Sequence, residues 1–284
     1  MQCIPQVLIA SAVLFTACGT SEPPPAEVQA PPAEVEAPPT AVSARPTHWG
    51  YSGDVAPATW NTLDPVYALC GNGMGQSPID VNTAAGAGGS TWEFNYGSSS
   101  LHMAHNEHVE DLLDNGHTIQ LSVEEGSTLK LGGNTYHLKQ FHFHTPSEHT
   151  VDGKHTPMEM HMVHASDDGK LAVVSVMIEE GKANENFAKI IEYMPAAPGD
   201  TVKADHKLVL DAHMPNKEKA YHYTGSLTTP PCTEGVEWLV LTDRITLSAD
   251  QIKAFASRMN NNNRPVQKLN ERSVTKDARV AQAK

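Results

Sequence analysis

The sequence predicts a mainly β, α+β architecture in a single domain, on three observations. Short apolar runs with period-two alternation recur between Thr118 and Leu241. Gly and Pro number 20 each, which supplies many turn positions. No strand–helix–strand rhythm is visible, which argues against a doubly wound sheet. The 284-residue chain has room for one large domain or two small ones once its N-terminal stretch is set aside.

That stretch comes first in the order of elements. Residues 4–17 are mostly apolar and end in small side chains. This reads as a signal peptide over residues 1–17, too short to span a bilayer. The run Leu14-Phe15-Thr16-Ala17-Cys18-Gly19 resembles a bacterial lipoprotein signal, in which Cys18 would carry the lipid. Export to the periplasm or outer surface, with a lipid anchor at Cys18, is therefore expected. Residues 18–45 are expected to be a tether. Pro-Pro-Ala-Glu-Val repeats there with a seven-residue period, but the proline pairs exclude a coiled coil and favour an extended spacer.

The catalytic-sized domain is placed at residues 46–272, followed by a flexible tail at 273–284. Strands are predicted at Thr118–Val123, Thr128–Leu131, Tyr136–Phe143, Met158–His164, Leu171–Ile178 and Val236–Leu241. Helices are predicted at Asn184–Tyr193 and at Ser248–Met259, the latter with Ser248 as N-cap. Residues 98–114 read as a solvated loop in which His102, His105 and His108 recur every third position, a pattern also compatible with a second metal.

The formal net charge of −13 excludes ordinary nucleic-acid binding, since a phosphate backbone would be repelled. Of four cysteines, Cys3 and Cys18 fall in the leader, leaving Cys70 and Cys232 in the globular part. An isolated pair in an exported protein is a disulfide candidate.

The informative chemistry lies in Gln140-Phe141-His142-Phe143-His144. On a strand, positions i and i+2 share a face. His142 and His144 therefore project together, with Phe141 and Phe143 on the other side. Met158-Glu159-Met160-His161-Met162-Val163-His164 has the same alternation, with Glu159 beside His161. If the two strands are neighbours, His161 completes a three-imidazole set, which suits catalytic zinc with one position open. Gln140 and Glu159, each two residues before a histidine, could accept a proton from a ring nitrogen and fix its tautomer. Alone, a His-x-His pair on a strand more often packs or faces solvent.

Around these segments the chain resembles the alpha carbonic anhydrases, over roughly residues 47–272. The matching stretches are His48-Trp49-Gly50-Tyr51, Gln76-Ser77-Pro78-Ile79-Asp80, Asn115-Gly116-His117, Gln140 to His144, Ser147-Glu148-His149, Glu159-x-His161-x-Val163-His164, Gly225 to Cys232, and Asn262-x-Arg264-Pro265. Their family order makes the resemblance specific. It implies a central twisted, mostly antiparallel sheet of about ten strands with a few short surface helices.

The resemblance also implies roles. One Zn2+ would be held by His142, His144 and His161, and zinc-bound hydroxide would hydrate CO2 reversibly to bicarbonate and a proton, the reaction of a carbonate dehydratase (a hydro-lyase). Thr228 would accept a hydrogen bond from the nucleophile and pass its own proton to Glu148. Val163, Val173, Leu227, Thr229 and Trp238 would line the substrate pocket. His117 would shuttle the proton outward through water organised by Tyr51, Asn115 and Gln120. Cys70 and Cys232 would form the disulfide of exported members. Two other classes fit parts of the pattern. His142-x-His144 with Glu148 can be spelled as a cupin-type metal motif, although no second cupin motif follows. A catalytically inactive, carbonic-anhydrase-like surface module would keep the fold and usually lose a zinc ligand, whereas all three histidines, Thr228, Glu148 and His117 are present here.

Overall fold

The computed structural model describes residues 48–106, 118–259 and 261–279. The first strands are β1 (Asp80–Val81), β2 (Trp92–Asn95), β3 (Ser98–Asn106), β4 (Thr118–Ser122) and β5 (Thr128–Leu131). The central ones are β6 (Asn134–His144), β7 (Thr150–Val151), β8 (Met158–Ala165) and β9 (Leu171–Glu180). The rest are β10 (Thr201–Val209), β11 (Lys219–Ser226), β12 (Glu234–Leu241), β13 (Ile245–Leu247) and β14 (Thr275–Ala278). Among the described residues four short α-helices accompany them: α1 (Trp60–Leu63), α2 (Leu69–Asn72), α3 (Glu185–Glu192) and α4 (Ala249–Met259).

Twelve of these strands form one sheet, with the path β10-β3-β4-β6-β8-β9-β12-β11-β14. Strand β2 joins through β5, which pairs with β6, and β13 pairs with β9. Most pairs are antiparallel, but β12 and β13 both run parallel to β9. The two-stranded β1–β7 sheet is separate and parallel.

The sheet has two dry faces. On one, Phe141, Phe143, Met158, Met160, Met162, Val174, Val176 and Leu239 form the larger core. Helices α3 and α4 cover it through Phe187, Ile190, Phe255 and Met259, with Phe143 and Phe255 rings 4.6 Å apart. Their starts follow from the sequence. Asn184 caps α3 by accepting from the Asn186 N–H at 3.1 Å. Ser248 Oγ accepts from the Gln251 N–H at 3.3 Å, while Gln251 Oε1 accepts from the Ser248 N–H, a reciprocal capping box. The opposite face carries a second core of Ile79, Val81, Val163, Val173, Tyr221, Tyr223, Val236, Trp238 and Val240, and it carries the candidate site.

A bulge in β6 at Lys139 sets the parity of this site. Leu138 pairs with His164 and Gln140 with Val163, so Lys139 is skipped in the ladder. Tyr136 and Leu138 can therefore face the larger core on one side of the bulge, and Phe141 and Phe143 on the other. Gln140, His142 and His144 are turned to the opposite face.

Two expectations are corrected. The tail expected at 273–284 is structured in part. Thr275–Ala278 is β14, which closes the free edge of β11 in antiparallel register. Buried Asp277 anchors it by accepting from the Gly88 N–H at 2.7 Å. The loop expected at 98–114 begins as strand β3, whose backbone pairs with both β4 and β10. His102 lies on that strand, where Lys203 of β10 and Ser122 of β4 are its ladder partners. His108 lies outside the described residues, as do the leader, the tether and Cys18.

Candidate metal centre and active site

Strands β6 and β8 are antiparallel neighbours, with His142 directly opposite His161. Residues opposite one another in a ladder share a face. His144, two positions along β6, joins them there. The three ring centroids lie 5.0, 5.3 and 4.6 Å apart, and one nitrogen from each ring falls within 4.8 Å of the others. All three side chains are buried.

The hydrogen bonds at the far ring nitrogens fix the tautomers. His142 Nδ1 lies 2.8 Å from Gln140 Oε1, an acceptor, so Nδ1 carries the proton and Nε2 keeps its lone pair. His144 Nδ1 donates to the Asn262 carbonyl at 2.7 Å, again leaving Nε2. His161 is reversed, because its Nε2 donates to Glu159 Oε1 at 2.7 Å and Nδ1 is left. Three lone pairs therefore converge, and His144 Nε2 is buried without any hydrogen-bond partner. A buried nitrogen lone pair with no donor is costly in a protein interior. A cation at the centre would satisfy all three at once, and the donor set is the one zinc takes. Burial keeps the rings neutral, as ligands must be: it holds His142 well below the usual imidazole range, His144 at about 4, and His161 lowered.

Glu159 stabilises this arrangement from β8. Its Oε1 accepts from His161, from His149 Nδ1 at 2.7 Å and from Ser175 Oγ at 2.5 Å. Its Oε2 accepts from the Glu148 and His149 N–H groups at 2.7 and 2.8 Å. Burial alone would raise its pKa, but His149 and His161 and these donors hold it well below the carboxylate range. His149, Glu159 and His161 also bring ligand-type atoms within 4.8 Å of one another. That trio is already satisfied by its own hydrogen bonds, so an ion there would have to break them.

Glu148 lies on the other side of the centre, with Oε2 3.5 Å from His144 Nε2 and 3.8 Å from His161 Nδ1. Its Oε1 accepts from the Arg264 N–H at 2.8 Å, and its carboxylate is hydrogen-bonded by the Thr228 side chain. Burial pushes Glu148 up to about 7, while the neighbouring His161 ring, the Arg264 N–H and Thr228 pull it down. Val163, Val173, Leu227, Thr228, Thr229 and Trp238 line one cleft with His142 and His161. The Trp238 ring packs 4.9 Å from His161, and its indole N–H donates to the Ser226 carbonyl at 3.0 Å.

The structure thus brings together the three histidines, Gln140, Glu159, Glu148, Thr228 and the five expected wall residues. Gln120 on β4 lies opposite His142 in the ladder, hence on the site's face. Tyr51 packs edge-on against Trp49 and Trp60, with centroids 5.7 Å from each. His117 and Asn115 lie outside the described residues. Cys70 and Cys232 are joined by a disulfide. Sequence reasoning gave no role to Asn262, Arg264, His149 or Ser175. The Asn-x-Arg-Pro and Ser-Glu-His motifs held the first three, but nothing local says that their partners lie up to 194 residues away.

The fold and the site together define a class: a β-sheet protein with a buried three-imidazole centre opening on an apolar-walled cleft. The family model for eukaryotic-type carbonic anhydrase matches residues 55–278, and the chain belongs to that family. A carbonic anhydrase of Pectobacterium carotovorum is 41% identical over 228 residues, covering 80% of this chain and 90% of that protein. The Thermovibrio ammonificans alpha-carbonic anhydrase, solved with the inhibitor sulfanilamide, superposes with a TM-score of 0.75 at 39% identity, covering 81% of this chain and 99% of that one. The Photobacterium profundum alpha-carbonic anhydrase does so with a TM-score of 0.73 at 37% identity, covering 80% and 99%. Family membership implies a lyase acting on CO2 and bicarbonate.

Proposed function

We propose that this chain is a zinc-dependent carbonic anhydrase that catalyses the reversible hydration of CO2 to bicarbonate and a proton. The observation that carries the reading is the convergence of three neutral imidazole lone pairs, one of them orphaned, beside the Thr228–Glu148 pair and an apolar wall.

His142 and His144 through Nε2, and His161 through Nδ1, would hold the zinc. Zinc bound there supplies the positive charge that lets a water ionise at neutral pH and serve as nucleophile. The chain's own residues do the positioning. Thr228 donates its hydroxyl proton to Glu148, so its oxygen is left to accept from the nucleophile, which aims a nucleophile lone pair at the substrate. CO2 has no strong hydrogen-bonding group, and Val163, Val173, Leu227 and Trp238 offer it a dry surface. His117 is assigned as proton relay, with Tyr51, Asn115 and Gln120 organising its water path. The support for that assignment is the Asn115-Gly116-His117 motif and the position of Gln120 beside His142.

Stopped-flow CO2 hydration with a pH indicator tests the reading. Fast hydration should be abolished by an aromatic sulfonamide and by His161→Ala. A folded, metal-loaded protein with no rate above buffer would overturn it.

We also infer export, with cleavage before Cys18 and lipidation of that residue. The apolar leader, the Cys18 context and the disulfide of the globular part support this. Radiolabelled-palmitate incorporation in a bacterial host should be lost in Cys18→Ser, and incorporation that survives the substitution would refute it.

A further inference from the structure

We propose that Ser90, His222 and Glu237 form a second, metal-independent site that hydrolyses small uncharged acyl esters. Ser90 Oγ lies 2.7 Å from His222 Nδ1, and His222 Nε2 lies 2.7 Å from Glu237 Oε2. Glu237 can only accept as a carboxylate, so Nε2 carries the ring proton and Nδ1 faces the Ser90 hydroxyl as a base. A nucleophile, a base and an acidic group that orients the base are the three parts an activated serine needs, and they are recognised by geometry and not by chain order. Thr224 Oγ1 donates to the other Glu237 oxygen at 3.2 Å and steadies the carboxylate.

The site is separate from the metal centre. Glu237 and Trp238 are successive residues of β12, so their side chains leave opposite faces of the sheet. Trp238 packs on His161, whereas Glu237, and His222 opposite Leu239 on β11, face the other way. All three side chains are partly exposed. Ser90 follows two glycines, and a side chain built at Gly89 would meet nothing within 4 Å, so the approach to the hydroxyl is open. Buried Asp277 fixes the loop through the Gly88 N–H. Among the described residues the Gly89 and Ser90 N–H groups donate to no partner, which leaves donors beside the nucleophile for an oxyanion. Glu237 and Asp277 make an anionic substrate unfavourable there.

The chemistry closes on itself. Ser90 Oγ attacks the ester carbonyl carbon as its proton passes to His222 Nδ1. The bond from that carbon to the leaving oxygen breaks as the same proton moves to the alkoxide, which departs as an alcohol. Water then attacks the acyl-serine, gives its proton to His222 and releases the acid, and the proton returns to Ser90. The net reaction is ester plus water to acid plus alcohol.

The full-length, metal-loaded protein should be assayed with p-nitrophenyl acetate under a saturating aromatic sulfonamide, and reacted separately with a fluorophosphonate probe followed by peptide mass mapping. Ester turnover should persist under the sulfonamide, fall to background in Ser90→Ala and drop about 10²-fold in His222→Ala. The probe should label Ser90, and CO2 hydration in Ser90→Ala should match the parent protein, which shows that the variant folds. Complete loss of ester turnover under the sulfonamide with no label on Ser90, or full residual turnover in Ser90→Ala, overturns the proposal.

Discussion

Replacing Glu159 by Gln tests the reasoning about the metal centre most sharply. The carboxylate is fully buried and accepts five hydrogen bonds, three on Oε1 and two on Oε2. Gln is isosteric, but one oxygen becomes an NH2. If that NH2 takes the Oε2 position it meets the Glu148 and His149 N–H groups, and if it takes the Oε1 position it meets three donors. Either way at least two donor pairs oppose each other in a dry site. Hydrogen bonds to a buried charged group contribute about 1.5–3 kcal/mol each, and breaking one side of a buried ionic network costs roughly 3–5 kcal/mol. Metal-free Glu159→Gln should therefore unfold at lower urea, with about 3–5 kcal/mol less stability. The His161 tautomer also loses its anchor, so zinc affinity measured by chelator competition should fall about 10–100-fold. Stability and affinity both within twofold-equivalent of the parent protein would refute the assignment of Glu159 as the orienting acceptor.

Three further outcomes follow from the same geometry. Thr228→Ala removes the hydroxyl that reaches Glu148, and CO2 hydration should fall on the order of 10²-fold in kcat/KM while Thr228→Ser recovers most of it. His164, buried with its Nδ1 directed at the Ala172 carbonyl and its Nε2 at Tyr96 OH, is held down to about 4 by burial. Below the unfolded value of about 6.5 the unfolded chain takes the proton first, so stability is lost as pH falls from there toward 4, by roughly 3 kcal/mol for this group. Urea midpoints across that range should flatten by about that amount in His164→Gln, and an unchanged pH slope would count against it. Paired Cys70→Ser and Cys232→Ser replacements remove a link between residues 162 apart, and should lower stability by roughly 2–5 kcal/mol in urea titration.

The strand-borne half of the site is legible in the order of the residues. Period-two alternation in Gln140–His144 and Met158–His164 placed His142, His144, Glu159 and His161 on shared faces, because a strand's side-chain parity is local. The cap at Ser248 is legible for the same reason, since a cap involves residues two or three apart. Several features were decided only by tertiary structure. The Lys139 bulge switches parity within β6, and no local pattern announces it, because it is defined by the partner strand's count. The acceptor for His144 is a backbone carbonyl at Asn262, and the donor to Glu148 Oε1 is a backbone N–H at Arg264; main-chain groups carry no sequence signature. Thr-Lys-Asp-Ala of β14 has little apolar alternation, and what holds it is the free edge of β11 and the buried Asp277. A strand's face is a property of its own residues, whereas its neighbours, and so the atoms that aim each imidazole, come from chain segments far away in sequence.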